Sequence, residues 1–219
     1  SVFTATSALC VTGLTIADTY SYWSIFGQMI IALLIQIGGL GIITVLSGIT
    51  VALNRRMKLK DSRLIGDAFN LNSLEGLGKF VKKVILGTFI VEGAGALLYM
   101  TVFVPEYGAR GIWISVFTSV SAFCNAGIDI IGESSLIPYA THPLINAVTC
   151  ALIILGGIGY IVWWDLLRVF KDVRTQGTGC FKRLTLHSKI VLSSSVVLIL
   201  VGGALIFAFE FSYPLTIGN

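Results

Sequence analysis

Long uncharged stretches alternate with clusters of charged residues along the chain. Residues 19–54 contain no Asp, Glu, Lys or Arg. Within them, residues 23–53 predict one long transmembrane helix, because about 20 apolar residues are already enough to cross the hydrocarbon. The other apolar segments are residues 84–104, 143–164 and 190–209, which predict helices, and the shorter segment 111–128.

The composition favours a lipid environment. Hydrophobic residues make up 55% of the chain and charged residues 12%, with a mean hydropathy of +0.89, whereas a soluble domain has about 25% charged residues. The polar side chains are too few to cover a water-facing globule, so the chain is predicted to be an integral membrane protein in the lipid bilayer. Four cysteines without CxxC spacing and two isolated histidines give no support for a transition-metal site.

The basic residues are distributed very unevenly. All of them except Arg110 lie in two loops, residues 54–83 and 165–189. The positive-inside rule places both loops in the cytoplasm. The remaining connections carry acids and form the predicted outer face, at Asp18, Glu106, Asp129 and Glu133.

This orientation constrains the segment 111–128. Two helices, 84–104 and 143–164, already connect the two cytoplasmic loops, so a third crossing would place the second loop outside. The segment is therefore predicted to enter from the outer face and return. Irregular backbone at that depth is tolerated where protein surrounds it or where it lines a watery cavity, which indicates a pore or a binding site. The alternative is a short segment lying in the interface.

An internal repeat supports the re-entrant interpretation. Residues 1–13 match residues 115–127 at eight of thirteen positions, and a Gly-Gly-x-Gly cluster follows each copy, at 38–41 and 156–159. A third copy begins where residues 189–192 resemble 83–86. The unit is helix, re-entrant pore loop, helix, and the copies run parallel around a central pore axis.

The repeat divides the chain into five parts, and we expect the natural protein to be longer. Residues 1–53 are repeat one without its first helix, 54–83 a cytoplasmic basic loop, 84–164 a complete repeat two, 165–189 a second basic loop, and 190–219 the truncated first helix of repeat three.

Each re-entrant segment ends in a short stretch of mostly small residues, which we name loop one (residues 10–14) and loop two (residues 124–128). A helix that directs its C-terminal end at the axis brings partial negative charge there, and carbonyl oxygens beyond that end can replace the water shell of a cation. Thr12 adds a hydroxyl. The candidate ion-binding residues are Cys10, Val11, Thr12, Gly13, Cys124, Asn125, Ala126 and Gly127.

Three motifs carry a family resemblance: VTGL at residues 11–14, QIGGLG at 36–41 and SAFCNAG at 121–127. In this order they resemble the Trk/Ktr/HKT superfamily of potassium transporters, most of all its Ktr-type membrane subunit. The sequence departs from the common pattern at Cys124, where relatives often carry asparagine, and at Ile128, where an aromatic residue is frequent.

The resemblance implies a chain of four repeats around one pore, of which this is a fragment, with one filter glycine per loop, here Gly13 and Gly127. It implies potassium uptake across the bacterial inner (plasma) membrane, often coupled to sodium as symport. It also implies a homodimer in the membrane and a cytoplasmic ring of nucleotide-binding regulatory subunits. Potassium is the ion expected at the filter residues.

Several polar and small residues have two interpretations. The glycine clusters are hinges or, more plausibly, sites of close helix packing. Glu92 is a functional acid in the membrane or a hydrogen-bond anchor. Asp18 and Asp129 attract cations to the outer mouth or are ordinary solvated loop acids. Gln36 and Asn146 are expected to bond between helices, and Cys10 and Cys124 to be free thiols.

Two other function classes compete with a potassium conduit. A secondary active transporter of another cation or small solute typically has inverted repeats or broken helices, whereas these repeats are parallel. An intramembrane enzyme would need a Ser/His, paired-Asp or metal-ligand arrangement in the apolar segments, and none is visible. We therefore predict a transport protein that is not an enzyme and has no nucleic-acid partner.

Overall fold

The computed structural model of the protein describes residues 1–41, 77–132, 134–176 and 183–211. Within these ranges all regular structure is helical and no strand occurs, which confirms the predicted all-α class. A 3₁₀ turn lies at Ile137–Tyr139. The α-helices are α1 (Val2–Leu9), α2 (Thr19–Tyr22), α3 (Ile25–Leu40), α4 (Leu77–Tyr107), α5 (Ala109–Phe123), α6 (Pro143–Gly157), α7 (Tyr160–Gln176) and α8 (Leu186–Glu210).

Two helices among the described residues are long and apolar enough to cross a membrane: α4, over Val81–Tyr107, and α8, with 25 residues. The pair Pro143–Gly157 and Tyr160–Phe170 provides a third span if its two halves are one broken helix. Helix α3 is apolar but has only 16 residues. These helices agree with a membrane protein, while the number of crossings and their direction stay predictions.

The predicted helix over residues 23–53 is wrong as a continuous element. The structure begins this helix at Ile25 and ends it at Leu40. The next residue, Gly41, has a φ of 79°, a left-handed conformation that glycine adopts readily and that an α-helix cannot contain. The rest of the predicted helix, residues 42–53, lies outside the described residues.

The predicted helix over residues 143–164 is interrupted in the same way. Helix α6 ends at Gly157 and α7 begins at Tyr160, with Gly159 between them at a φ of 83°. The last glycine of each Gly-Gly-x-Gly cluster therefore lies where a helix is interrupted.

The remaining helices are confirmed with longer bounds, as α4 and α8 extend past the predicted segments 84–104 and 190–209. The segment 111–128 is only partly helical. Helix α5 has 15 residues, or about 22 Å at 1.5 Å per residue, which is shorter than the roughly 30 Å of hydrocarbon. Non-helical main chain follows it from residue 124 to 132. A short helix followed by irregular backbone agrees with a re-entrant segment.

The chain divides into two compact units, Ser1–Gly157 and Ile158–Asn219. In the first, α4 joins α5 through Gly108, and a Cβ on Gly111 would overlap the main chain of Phe103. The buried ring of Phe103 stacks on Tyr99 with centroids 5.7 Å apart. A hydrogen bond of 2.6 Å joins the Tyr99 hydroxyl to that of Thr149, so α4 is also tied to α6.

In the second unit, Asp165 of α7 holds the start of α8. Its Oδ2 accepts hydrogen bonds from the Thr185 main-chain nitrogen at 2.8 Å and from the Thr185 hydroxyl at 2.9 Å. Oδ1 pairs with Arg168 one turn along α7. Because Thr185 is also the N-cap of α8, the same few side chains fix both the helix start and its contact with α7.

Glycines of the two clusters also pack closely against main chain. A Cβ on Gly38 would overlap the carbonyl oxygen of Leu9, the last residue of α1. A Cβ on Gly156 would overlap the carbonyl oxygen of Phe123, the last residue of α5. Gly38 and Gly156 occupy equivalent positions of the internal repeat, and so do Leu9 and Phe123. The sequence repeat is therefore also a structural repeat. The packing interpretation is confirmed at Gly38 and Gly156.

This packing predicts that Gly156→Ala destabilises the full-length protein. The added methyl group meets a main-chain carbonyl, and overpacking of this kind costs about 1–3 kcal/mol. We expect a lower midpoint of thermal unfolding in detergent. The control is Gly157→Ala in the same helix, where the nearest atom to the new Cβ lies 4.0 Å away and alanine favours the helix. Equal midpoints for the two variants would contradict the assignment.

Candidate functional site

Loop one begins with a tight main-chain turn at the end of α1. The Val11 N–H donates to the Ala8 carbonyl at 3.3 Å, and the Thr12 N–H donates to the Ser7 carbonyl at 3.0 Å. Orphan carbonyls at a helix end are satisfied in this way by the residues that follow. The turn therefore caps α1 and points the chain away from the helix axis.

Loop two repeats this pattern at the end of α5. The Asn125 N–H donates to the Ala122 carbonyl at 3.2 Å, and the Ala126 N–H donates to the Ser121 carbonyl at 2.8 Å. Each hydrogen bond has its counterpart in loop one at the offset of the sequence repeat. The two loops therefore share one main-chain conformation.

Both loops contain left-handed residues at equivalent positions. Val11 and Asn125 have φ values of 55° and 58°, and Gly13 and Gly127 have φ values of 78° and 70°. A β-branched residue such as valine is a conformational outlier there. Strained backbone of this kind persists where its surroundings enforce it, and it is concentrated at functional sites.

The two loops meet at their glycines. A Cβ on Gly13 would lie 2.6 Å from the Ala126 carbonyl oxygen and 3.7 Å from the Gly127 Cα. The nearest atom to a Cβ on Gly127 would be the Gly13 Cα, at 3.9 Å. The close approach requires glycine at position 13, whereas at Gly127 it is the left-handed backbone that favours glycine. The structure thus brings together the two stretches that the repeat singled out, from segments more than a hundred residues apart in sequence.

Serine side chains fasten the two loops differently. In loop one the hydroxyls of Ser7 and Thr12 are 2.9 Å apart and hydrogen-bonded. In loop two the Ser121 hydroxyl donates to the Ile128 carbonyl at 2.5 Å. Thr12, the predicted hydroxyl ligand, therefore bonds to α1, the helix that precedes it. Ser121 stabilises the main chain that leaves loop two.

The remaining side chains of the loops differ in exposure. Cys10 is exposed and Cys124 is buried, and both are free thiols, as predicted. The exposed Asn125 amide donates to the carbonyls of Phe123 and Ile153, each at 3.4 Å, and so ties loop two to α6. Equivalent positions of the loops therefore share backbone geometry but not side-chain surroundings.

Asp18 follows loop one and caps α2. Its carboxylate accepts hydrogen bonds from the main-chain nitrogens of Tyr20 at 3.3 Å and Ser21 at 2.9 Å. Partial burial raises the pKa of Asp18, but these hydrogen bonds outweigh it and hold the pKa below the usual value. The carboxylate is therefore structural as well as negatively charged at neutral pH.

Asp129 lies two residues after Gly127 of loop two. It accepts from the Ile131 nitrogen at 3.1 Å and from the Ser135 hydroxyl at 2.6 Å. A cleft of about 310 Å³ lies between residues 15–19 and 127–135, and both aspartates line it. Both carboxyl groups make hydrogen bonds within the protein, and both line the same cleft, which Gly127 also lines.

Gln28, at the start of α3, supports the chain as it leaves loop one. This side chain is 1% exposed. Its amide nitrogen lies near the carbonyls of Thr19, Tyr20 and Trp23 at 3.4, 3.4 and 3.1 Å, and its oxygen accepts from the Trp113 indole at 3.0 Å. Since Trp113 is on α5, one buried amide connects the surroundings of both loops.

Glu92 is a hydrogen-bond anchor between helices. Its Oε1 accepts from the Gln36 amide at 3.0 Å and from the Cys124 thiol at 3.9 Å. The prediction that Gln36 bonds between helices is confirmed. The same prediction for Asn146 is wrong, because its amide donates at 2.7 Å to the Ala140 carbonyl in the adjacent turn.

The sequence did not lead us to predict the roles of Gln28, Ser7 and Ser121. A signal existed for Ser7 and Ser121, which are identical residues at equivalent positions of the repeat. For Gln28 the signal is weaker, one of two glutamines in an uncharged apolar helix. Within the described ranges, no group of three His, Cys, Asp or Glu side chains is arranged to hold a metal ion.

Comparison with known proteins agrees with this geometry. A family model described as TrkH, cation transport protein, matches residues 1–216. The potassium/sodium uptake protein NtpJ of Enterococcus hirae is 38% identical over 94% of this chain and 44% of its own length. The Ktr system potassium uptake protein B of Bacillus subtilis is 36% identical over 100% of this chain and 47% of its own. The Ktr system potassium uptake protein D of the same organism is 34% identical, over 96% and 46% respectively.

The chain therefore spans less than half the length of the curated relatives it matches. These relatives and the family model are named for transport, which agrees with the prediction of a transport protein rather than an enzyme. The match extends over nearly the whole chain and includes both loops. The chain belongs to the TrkH family of cation transport proteins.

Proposed function

We propose that the full-length protein takes up potassium across the bacterial plasma membrane and that loops one and two form half of its selectivity filter. The carrying observation is the contact of Gly13 with Gly127 and with the Ala126 carbonyl. Two main chains from equivalent positions of a repeat meet there without intervening side chains. Such an arrangement is what a ring of four carbonyl-bearing loops requires of two adjacent members.

Electrostatics supports a cation as the ligand. Both loops follow the C-terminal ends of short helices, where the helix dipole places partial negative charge. The N–H groups of residues 11, 12, 125 and 126 are turned back to their own helices. The backbone N–H groups, which would repel a cation, are thus occupied within the protein, and the cleft beside the loops carries Asp18 and Asp129.

The names of the relatives support potassium, with sodium as a second ion. NtpJ is named for potassium and sodium uptake and the two Ktr proteins for potassium uptake. We extend this to the present chain, with the ions held by main-chain atoms of residues 10–13 and 124–127. Sodium coupling, as symport, is part of the proposal.

The proposed arrangement in the membrane follows the charge distribution. Residues 54–83 and 165–189 lie on the cytoplasmic side, and the segments after loops one and two lie outside. The full protein has four repeats, forms a homodimer and binds a cytoplasmic ring of nucleotide-binding regulatory subunits. The family resemblance supports these assemblies, and the two basic loops are a candidate docking surface for the regulatory subunits.

We predict that Gly13→Ala lowers the preference for potassium over sodium more than Gly127→Ala does. Both residues have left-handed backbone, which costs a non-glycine residue about 1–2 kcal/mol, roughly a tenfold effect if it is expressed at the filter. Only at Gly13 does the new Cβ also press on a loop carbonyl, that of Ala126. The measurement is the ratio of potassium to sodium uptake by full-length protein in proteoliposomes.

The control for this experiment is Gly93→Ala, in α4, where an added Cβ meets no atom within 4 Å. We expect it to retain the wild-type uptake ratio. Unchanged ratios in both loop variants, with normal amounts of folded protein, would refute the filter.

The orientation predicts which side of the membrane a single thiol faces. In a background with Cys10→Ser and Cys150→Ser, which keeps the buried Cys124, Cys180 of the second basic loop should react with a membrane-impermeant maleimide in inside-out vesicles and not in intact cells. The matched variant has Cys180→Ser and Thr141→Cys, and it should show the reverse, because Thr141 lies in the connection after loop two. Retained potassium uptake is the control for folding, and labelling of both thiols from the same side would contradict the topology.

A further inference from the structure

We propose that Glu92 is a positioning residue for loop two: by holding Gln36 and Cys124 together it fixes the end of α5 against α3 and sets the preference for potassium over sodium. The inference rests on the proposed filter and assigns a role to a side chain outside it. The Glu92 carboxyl itself does not contact the ion.

The location of Glu92 demands an explanation. The residue is 4% exposed and lies in the apolar helix α4, which is long enough to cross a membrane. An ionisable side chain at such a position is costly, and buried polar groups persist when they make specific hydrogen bonds. The hydrogen bonds of the Glu92 carboxyl therefore offset the cost of its burial.

The partners of Glu92 belong to two different repeats. Gln36 is on α3, the second helix of repeat one, and donates to Oε1 at 3.0 Å. Cys124 is the C-cap of α5 in repeat two, and its thiol lies 3.9 Å from the same oxygen. One carboxyl oxygen therefore bridges three elements at the residue immediately before the left-handed turn of loop two.

A second hydrogen bond attaches α5 to the same point of α4. The hydroxyl of Ser119, which is 0% exposed, donates to the Glu92 carbonyl oxygen at 2.7 Å. Ser119 and Cys124 lie on successive turns of α5, and both side chains are hydrogen-bonded to the same residue, Glu92. The end of α5 is therefore fixed both along the helix and in rotation about its axis.

Helix α3 leaves space for the side chain of Cys124. A Cβ on Gly39 would overlap the Cys124 sulfur, so the glycine provides the space that the thiol occupies. Gln36 lies one turn before Gly39 on α3. The same short stretch of α3 thus supplies both the space for Cys124 and the amide that bonds to Glu92.

The surroundings of the two equivalent cysteines differ. In loop one the equivalent cysteine, Cys10, is exposed. The third copy of the repeat has only apolar residues where it aligns with Glu92, in the stretch 196–201. Two loops with the same backbone therefore have different surroundings, and among the described residues the buried acid Glu92 links loop two to α3 of the neighbouring repeat.

The two carboxyl oxygens of Glu92 differ in their hydrogen bonds, and this difference makes a conservative substitution informative. Glu92 Oε2 is buried and has no hydrogen-bond partner in the described part of the chain, whereas Oε1 makes both contacts. Glu92→Gln retains the accepting oxygen and the size of the side chain. Glu92→Leu retains the approximate volume and removes the acceptor.

The test measures the ratio of potassium to sodium uptake for full-length variants in proteoliposomes, together with the amount of folded protein. We expect Glu92→Leu to lower the ratio about fivefold, the equivalent of one buried hydrogen bond, and Glu92→Gln to remain close to wild type. Gln36→Leu should act like Glu92→Leu. The double variant should be no worse than either single one, because coupled residues are not additive.

Tyr99→Phe is the matched control. It removes another hydrogen bond of α4, one that leads to Thr149 on α6 and not to α5 or α3. We expect it to lower stability and leave the uptake ratio unchanged.

Three results would overturn the inference alone while the filter variants behave as expected. They are an unchanged ratio in Glu92→Leu, an equal loss in Glu92→Gln, which would assign the effect to charge, and an equal loss in Tyr99→Phe, which would assign it to general destabilisation. A wild-type protein without potassium uptake, or unchanged ratios in Gly13→Ala and Gly127→Ala, would overturn the proposed function and this inference with it.

Discussion

The rest of the structure depends on one contact, the close approach of a helix glycine to the last carbonyl of a short helix. Gly38 meets the Leu9 carbonyl in repeat one, and Gly156 meets the Phe123 carbonyl in repeat two. Any larger residue would occupy the place of the oxygen. The contact fixes where α1 and α5 end against their neighbours, and therefore where loops one and two begin.

A chain that leaves helical geometry away from water must satisfy its own polar groups. Loops one and two do so by turning the first N–H groups back to the preceding helix, as the bond from Thr12 to the Ser7 carbonyl shows. This requires left-handed backbone at Val11 and Asn125, which is unfavourable for valine. The close glycine contacts and the serine hydrogen bonds provide the surroundings that enforce it.

The internal repeat made this geometry predictable, since identical residues at equivalent positions imply a shared main-chain shape. Hydropathy located the apolar helices but not their breaks at Gly41 and Gly159, because an apolar stretch contains no information about a positive φ. The hydrogen-bond network of Glu92 could be predicted only in part. A buried acid needs a partner, but the choice of Gln36, 56 residues away, is made by tertiary packing.

The two loops show how a parallel repeat can keep one backbone and vary its support. Ser7 bonds to the side chain of Thr12, whereas Ser121 bonds to the main chain of Ile128. Cys10 is exposed, whereas Cys124 is buried against Glu92 and Gly39. In the proposed filter, the two loops would present equivalent carbonyl positions while their side chains pack differently. Because these differences lie outside the main chain of the loops, the proposal allows ion preference to change without altering the proposed ion-binding residues.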